Sequence, residues 1–109
     1  MSAKIVGNTI TLTRGDSLNL KVNLRHNGLP YEPQEGDSMR FALKTSISDS
    51  EPLIYRMADM ETTTIAIEPA DTKILSFGSY IYDIEYTTKD GFVDTFIGPA
   101  TFIITEEVY

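Results

Sequence analysis

Asp71-Thr-Lys-Ile-Leu-Ser-Phe-Gly-Ser-Tyr-Ile-Tyr-Asp-Ile-Glu-Tyr86 decides how this chain is read. Its opening, Asp71 to Leu75, reads as a short turn, and Gly78 ends it. From Tyr80 onward the residues alternate. Tyr80, Tyr82, Ile84 and Tyr86 fall on one side and Ile81, Asp83 and Glu85 on the other, because side chains on a strand alternate faces. Four large residues opposite two carboxylates describe a strand with one dry and one wet face. Leu75, Gly78 and Tyr80 together read as a corner leading into a central strand, with the Tyr80 hydroxyl pinning the corner.

The same period recurs on both sides of this stretch. Leu18, Leu20, Val22 and Leu24 alternate with Asn19, Lys21, Asn23 and Arg25, and Met39, Phe41 and Leu43 with Arg40, Ala42 and Lys44. One dry face per strand is the pattern of antiparallel sheets. Ile5 to Thr13 carries Ile10 and Leu12 at period two and predicts a first strand. Thr62 to Ile67 is rich in β-branched residues, with Ile65 and Ile67 inward. Leu53 to Met57 reads as a short edge strand. Phe92 to Thr105 reads as the last strand, interrupted at Gly98-Pro99. Proline donates no ladder bond, so the interruption is a bulge or a change of partner.

Between these strands lie turn signals at Arg14-Gly15-Asp16, His26-Asn27-Gly28, Ala58 to Glu61 and Lys89-Asp90-Gly91. Leu29 to Asp37, with Pro30, Pro33 and Gly36, reads as a loop crossing between sheets, and Thr45 to Pro52 as an exposed loop. Pro69 opens a short helical turn over Ala70 to Leu75. About seven or eight short strands and no long helix predict an all-β fold, an antiparallel immunoglobulin-like β-sandwich. The chain has 109 residues and shows no linker or repeat, so residues 1–109 are expected to form a single domain.

Composition narrows the function classes. With 41% apolar and 23% charged residues the chain has enough apolar side chains for a core, which argues against disorder. Cysteine is absent, which excludes a disulfide framework, a thiol nucleophile and cysteine-bound metal. Sixteen Asp and Glu against nine Lys and Arg give a net charge of −7. That balance repels phosphate, so neither nucleic acid nor an anionic membrane is an expected partner. The first residues hold no long apolar run, so neither a signal peptide nor a membrane span is expected, and synthesis in the cytoplasm is.

No motif carries a reaction. Arg14-Gly15-Asp16 matches an adhesion tripeptide but reads as a tight turn into the Leu18 strand. His26 is the only histidine, and metal sites and triads need several converging groups. Ser46, Ser48, Ser50, Ser76 and Ser79 lack an activating Gly-x-Ser-x-Gly pattern. Asp37, Asp49, Asp59, Asp71 and Asp90 sit at strand ends or turns. Gathered at one end of a sandwich they would suit calcium, yet their spacing follows no calcium-loop pattern. No catalytic residue, cofactor or metal is therefore expected. Among the six tyrosines, Tyr80, Tyr82 and Tyr86 read as core. Tyr31, Tyr55 and Tyr109 lie in loops, an edge and the tail, where aromatics anchor interfaces.

The order of several segments carries a resemblance. Thr-Arg-Gly-Asp-Ser precedes an alternating strand, followed by Asn-Gly-Leu-Pro-Tyr-Glu-Pro and Asp-Ser-Met-Arg-Phe-Ala-Leu-Lys. Later come Ile-Glu-Pro-Ala-Asp-Thr-Lys-Ile-Leu-Ser-Phe-Gly-Ser-Tyr-Ile-Tyr-Asp-Ile and Lys-Asp-Gly before a final Thr-Phe-Ile-Ile-Thr. Over nearly its whole length the chain resembles the β-sandwich module of tailed-phage virion proteins, similar to the N-terminal domain of the baseplate upper protein. The resemblance implies a structural protein of a phage or prophage particle, a tail, baseplate or head component without catalysis. It would be carried in the virion after synthesis in the bacterial host. Its partners would be other virion proteins or copies of itself. In such proteins the module attaches a larger fibre or receptor-binding assembly. Here no fibre segment follows the sandwich, so a stand-alone component is expected. Edge strands are natural docking sites because their backbone groups are unpaired. The expected interface residues are Leu53, Tyr55, Tyr31, Gly98 and Pro99. The alternative is a carbohydrate-binding β-sandwich module, motivated by the tyrosines and loop carboxylates.

Overall fold

The alternation in the sequence becomes two layers in the computed structural model, which describes residues 3–26 and 28–106. The strands are β1 (Ala3–Val6), β2 (Thr9–Thr13), β3 (Leu18–Lys21), β4 (Arg25–His26), β5 (Leu29–Pro30), β6 (Ser38–Lys44), β7 (Ile54–Met57) and β8 (Thr64–Ile67). A one-turn helix, α1 (Pro69–Lys73), precedes β9 (Gly78–Thr87) and β10 (Val93–Thr105). One sheet has the order β1-β2-β10-β9-β6-β7, and β3 pairs with β8 across from it. The arrangement of β10-β9-β6 opposite β3-β8 is that of an immunoglobulin-like sandwich whose larger sheet is extended by β7 at one edge and by β2 and β1 at the other.

The core is built from the residues that the period-two pattern turns inward. Met39, Phe41 and Leu43 from β6, Tyr80, Tyr82, Ile84 and Tyr86 from β9, and Phe102 and Ile104 from β10 are buried. They meet Leu18 and Leu20 of β3 and Ile65 and Ile67 of β8 in one cluster. Phe41 stacks on Tyr82 at 5.3 Å, and Phe102 meets both rings edge-on at 6.1 Å, so one aromatic trio joins three adjacent strands. Each such side chain contributes about 1.5–3 kcal/mol by leaving water. The Tyr82 hydroxyl also reaches the Asn8 carbonyl and ties the centre of the sheet to the β1–β2 turn.

The corner before β9 forms as the sequence predicts. Pro69 stands at the start of α1, where its missing N–H costs nothing. Glu68 and Asp71 close a capping box, with the Asp71 carboxylate accepting the Glu68 N–H at 2.7 Å. Tyr80 donates its hydroxyl to the Ser76 carbonyl at 2.6 Å, closing a tyrosine corner. Thr72, fully buried, accepts the Gly15 N–H at 2.8 Å and docks the Arg14-Gly15-Asp16 turn onto the corner.

Several boundaries differ from the expectation, each for a physical reason. The first strand is a hairpin, β1 and β2, because Gly7 adopts a positive φ of 60° and turns the chain. The alternating run from Leu18 leaves the ladder after Lys21, although Val22 and Leu24 stay buried and Val22 still donates to the Thr63 carbonyl at 2.9 Å. The expected crossing loop contains β5, which pairs with β4 in a two-stranded hairpin. At Gly98-Pro99 the last strand keeps β9 as its partner, so of the two expected alternatives the bulge is the one present. Two register shifts, between Thr95 and Ile97 and between Ile97 and Ala100, absorb the extra residues. The sheet is not wholly antiparallel either, since β2 runs parallel to β10 from Ile10↔Phe102 to Thr13↔Thr105. The described residues thus hold ten strands, three more than the seven runs read from the sequence, because the first strand is a hairpin and β4 and β5 form short strands of their own.

Candidate functional site

At one edge of the larger sheet lies β7, whose only partner among the described residues is β6. The register sets Tyr55 opposite Ala42 and Met57 opposite Arg40. Residues opposite one another share a face, so Tyr55 and Met57 stand on the outer face beside the outward residues of β6. Leu53 lies just before β7 and donates its N–H to the Leu43 carbonyl at 2.7 Å, so it flanks the strand and stands outside its alternation. These three side chains are 45%, 56% and 51% exposed in chain order, an apolar row along the rim of the sheet.

The backbone of β7 is equally open. Ala58 donates to the Met39 carbonyl at 2.8 Å. In an antiparallel ladder paired and unpaired positions alternate, so Arg56 faces β6 while Tyr55 and Met57 direct their N–H and C=O groups outward. On the inner face Arg56 bonds Asp71 of α1, anchoring the edge to the corner. The row that faces solvent therefore stands on a strand fastened from behind.

Next to this row the outer face is charged and ordered. Arg40 reaches Asp83 at 2.5 Å and Glu85 at 2.9 Å. Burial alone would lower its pKa, but Asp83 and Glu85 more than offset that and the guanidinium titrates above its ordinary value. Gly98 is required by this arrangement: a Cβ there would overlap the Asp83 Cβ, with the Asp83 Cα only 3.3 Å away. The bulge at Gly98-Pro99 thus lets β10 close over the residue that holds Arg40. Pro99, Arg40, Ala42 and Ile81 border a shallow depression of about 160 Å³ on this face.

Leu53 and Tyr55 are brought together on the rim, and Gly98 and Pro99 lie on the same sheet with β9 and β6 between. Tyr31 belongs elsewhere. Its ring meets Tyr86 edge-on at 5.9 Å, and its hydroxyl points at Asp37 from 3.5 Å. Tyr109 and Asn27 lie outside the described residues. Arg14 of the adhesion-like tripeptide is engaged within the fold, its guanidinium 4.5 Å from the centre of the Phe77 ring.

The loop carboxylates serve their own turns. Asp49 accepts the Ser46 N–H at 3.1 Å and Asp59 the Glu61 N–H at 3.0 Å. Asp37 is the hub of the loop end: it accepts the Tyr86 hydroxyl at 2.6 Å and the N–H groups of Gln34 and Lys89 at 3.0 Å each. The Tyr86 hydroxyl above all, then the Gln34 N–H, holds the Asp37 carboxyl below its ordinary pKa. Burial first, and then the hydrogen bond to Asp37, push the Tyr86 hydroxyl up. Among the described residues no three His, Asp or Glu side chains converge as a metal site would need, and no helix is long and apolar enough to cross a membrane.

Sequence reasoning missed Met57, the Arg40 pairing and the Asp37 hub. Met57 was legible from its place two positions after Tyr55. The other two join residues 43 and 49 positions apart, for which a single sequence carries no signal. Compared with protein-family models and with curated proteins, the chain matches none.

Proposed function

We propose that the protein is a structural interaction subunit of a phage or prophage particle, a tail, baseplate or head component that works by docking and not by catalysis. The particle assignment rests on the resemblance of its segment order to the virion β-sandwich module. The docking mode rests on one observation: β7 presents Tyr55 and Met57 with outward-facing backbone groups, and the exposed Leu53 flanks them. Exposed edges of this kind template strand addition from another chain, with main-chain bonds giving affinity and alternate side chains giving specificity. The partner is a neighbouring virion protein or a second copy. Neither nucleic acid nor a membrane is involved, in keeping with the charge of −7.

The test is incorporation into particles produced by the host that encodes the chain. The wild-type protein should appear in purified particles by quantitative mass spectrometry. A Leu53→Glu, Tyr55→Lys double variant should melt within about 1 kcal/mol of wild type, as exposed positions do, yet be depleted from particles. Equal incorporation of the folded variant would remove the edge from the mechanism, and absence of the wild type from particles would remove the virion role.

A further inference from the structure

A second surface lies at the loop end of the sandwich and shares no residue with the β7 edge. The β9–β10 turn is closed by the Gly91 N–H to the Thr88 carbonyl and the Thr88 N–H to the Phe92 carbonyl, both 2.9 Å. This holds Phe92 outward, 69% exposed although fully apolar. Opposite it, Tyr31 is fixed by its N–H to the Leu24 carbonyl at 3.0 Å. Between them is a cleft of about 230 Å³ whose wall is aromatic: Tyr31, Tyr86, Phe92 and Phe96. Phe96 sits in the first irregularity of β10 and stacks on Tyr86 at 5.5 Å and 17°. The bulge is what turns this ring toward the cleft.

The polar groups of the cleft narrow its ligand. The Tyr86 and Tyr31 hydroxyls point at Asp37, and Tyr86 is buried, so the accessible carbon of the wall comes from Tyr31, Phe92 and Phe96. Arg25 and Asp94, both exposed, stand at the rim, and Asp94 is opposite Tyr86 in the ladder. Arg25 and Asp94 place a donor and an acceptor of opposite charge at one rim, which suits a neutral ligand that carries hydroxyls. A ring with an apolar face and hydroxyls around its edge matches both the wall and the rim. The volume is below the roughly 300–1,000 Å³ of drug-sized sites, so a single ring fits.

We propose that the cleft between the β4–β5 hairpin and the β9–β10 turn binds one pyranose unit of a neutral glycan, with its apolar face on the aromatic wall and its hydroxyls bridging Asp94 and Arg25. Asp94 accepts from two neighbouring hydroxyls and Arg25 donates to a third oxygen. The assembly reading does not depend on this site, nor the site on that reading.

The experiment is an NMR titration of the full chain with the methyl glycosides of glucose, galactose, mannose and N-acetylglucosamine at millimolar concentrations. At least one should shift the amides of residues 88–96 and Tyr31 in a saturable way. Phe92→Ala should weaken that response about tenfold or more, and Asp94→Asn should weaken it too, with thermal melting unchanged because both positions are exposed. Three results would overturn the assignment: no saturable response to any of the four, shifts confined to another face, or a response undiminished in folded Phe92→Ala. A proline- or tyrosine-containing tetrapeptide run in parallel, if it alone bound, would give the cleft to a protein partner instead.

Discussion

Single hydroxyls and carboxylates hold the two ends of this sandwich. At the corner, Tyr80→Phe removes the bond to the Ser76 carbonyl and should cost about 0.5–1.5 kcal/mol in denaturant unfolding. Docking should be unchanged, because the ring stays in the core. A variant with normal stability and lost particle incorporation would reverse that assignment. At the loop end, Asp37 has a pKa below its ordinary 3.8 when folded. A depressed carboxylate stabilises the fold above the unfolded pKa, and that stabilisation is lost as pH falls through the folded value. Asp37→Asn should therefore melt below wild type at neutral pH, and the gap should narrow as pH drops below about 4. A gap in melting temperature that stays constant from neutral pH to about pH 2 would contradict the role given to Asp37.

At the scale of elements, β10 and β7 carry the two unusual features. Gly98 lies over Asp83 with no room for a side chain. Gly98→Ala should cost about 1–3 kcal/mol, the usual penalty for forcing atoms into a packed site, and should loosen the Arg40 pairing. Pro99→Ala, at an exposed position, should stay within about 0.5 kcal/mol. Equal effects of the two changes would contradict the close approach. For β7 the useful change is Tyr55→Pro. Proline is tolerated on an edge strand where its missing N–H faces away from the ladder, and Tyr55 is such a position. The variant should keep the sandwich, measured by circular dichroism and melting, while losing strand addition, measured by incorporation. A variant that is incorporated normally would show that docking does not use the Tyr55 backbone.

How much of each element was legible follows from where its information resides. The β3, β6, β8 and β9 strands could be read because Leu18 and Leu20, Met39 to Leu43, Ile65 and Ile67, and Tyr80 to Tyr86 obey period two, which is a local property. The corner was legible because Pro69, Gly78 and Tyr80 each have one dominant backbone role. The β4–β5 hairpin was not, since Leu29 and Pro30 are exposed and carry no alternation. The parallel pairing of β2 with β10 joins residues far apart in the chain, as do the contacts of Asp37 with Tyr86 and of Arg56 with Asp71. The rim was half legible: the spacing of Leu53 and Tyr55 marked an edge, but only the register with β6 shows which backbone groups face outward.

For the molecule as a whole, the two packed sheets leave the β7 rim open, and the central claim is that this rim is completed by a strand from another chain. Amide hydrogen exchange of the segment 53–58 tests it most directly, because outward N–H groups exchange fast and laddered ones slowly. In the isolated protein Tyr55 and Met57 should exchange quickly while Arg56 and Ala58 are protected. In assembled particles the Tyr55 and Met57 amides should become protected as well. A segment that exchanges as fast in the particle as in the isolated protein would contradict the account.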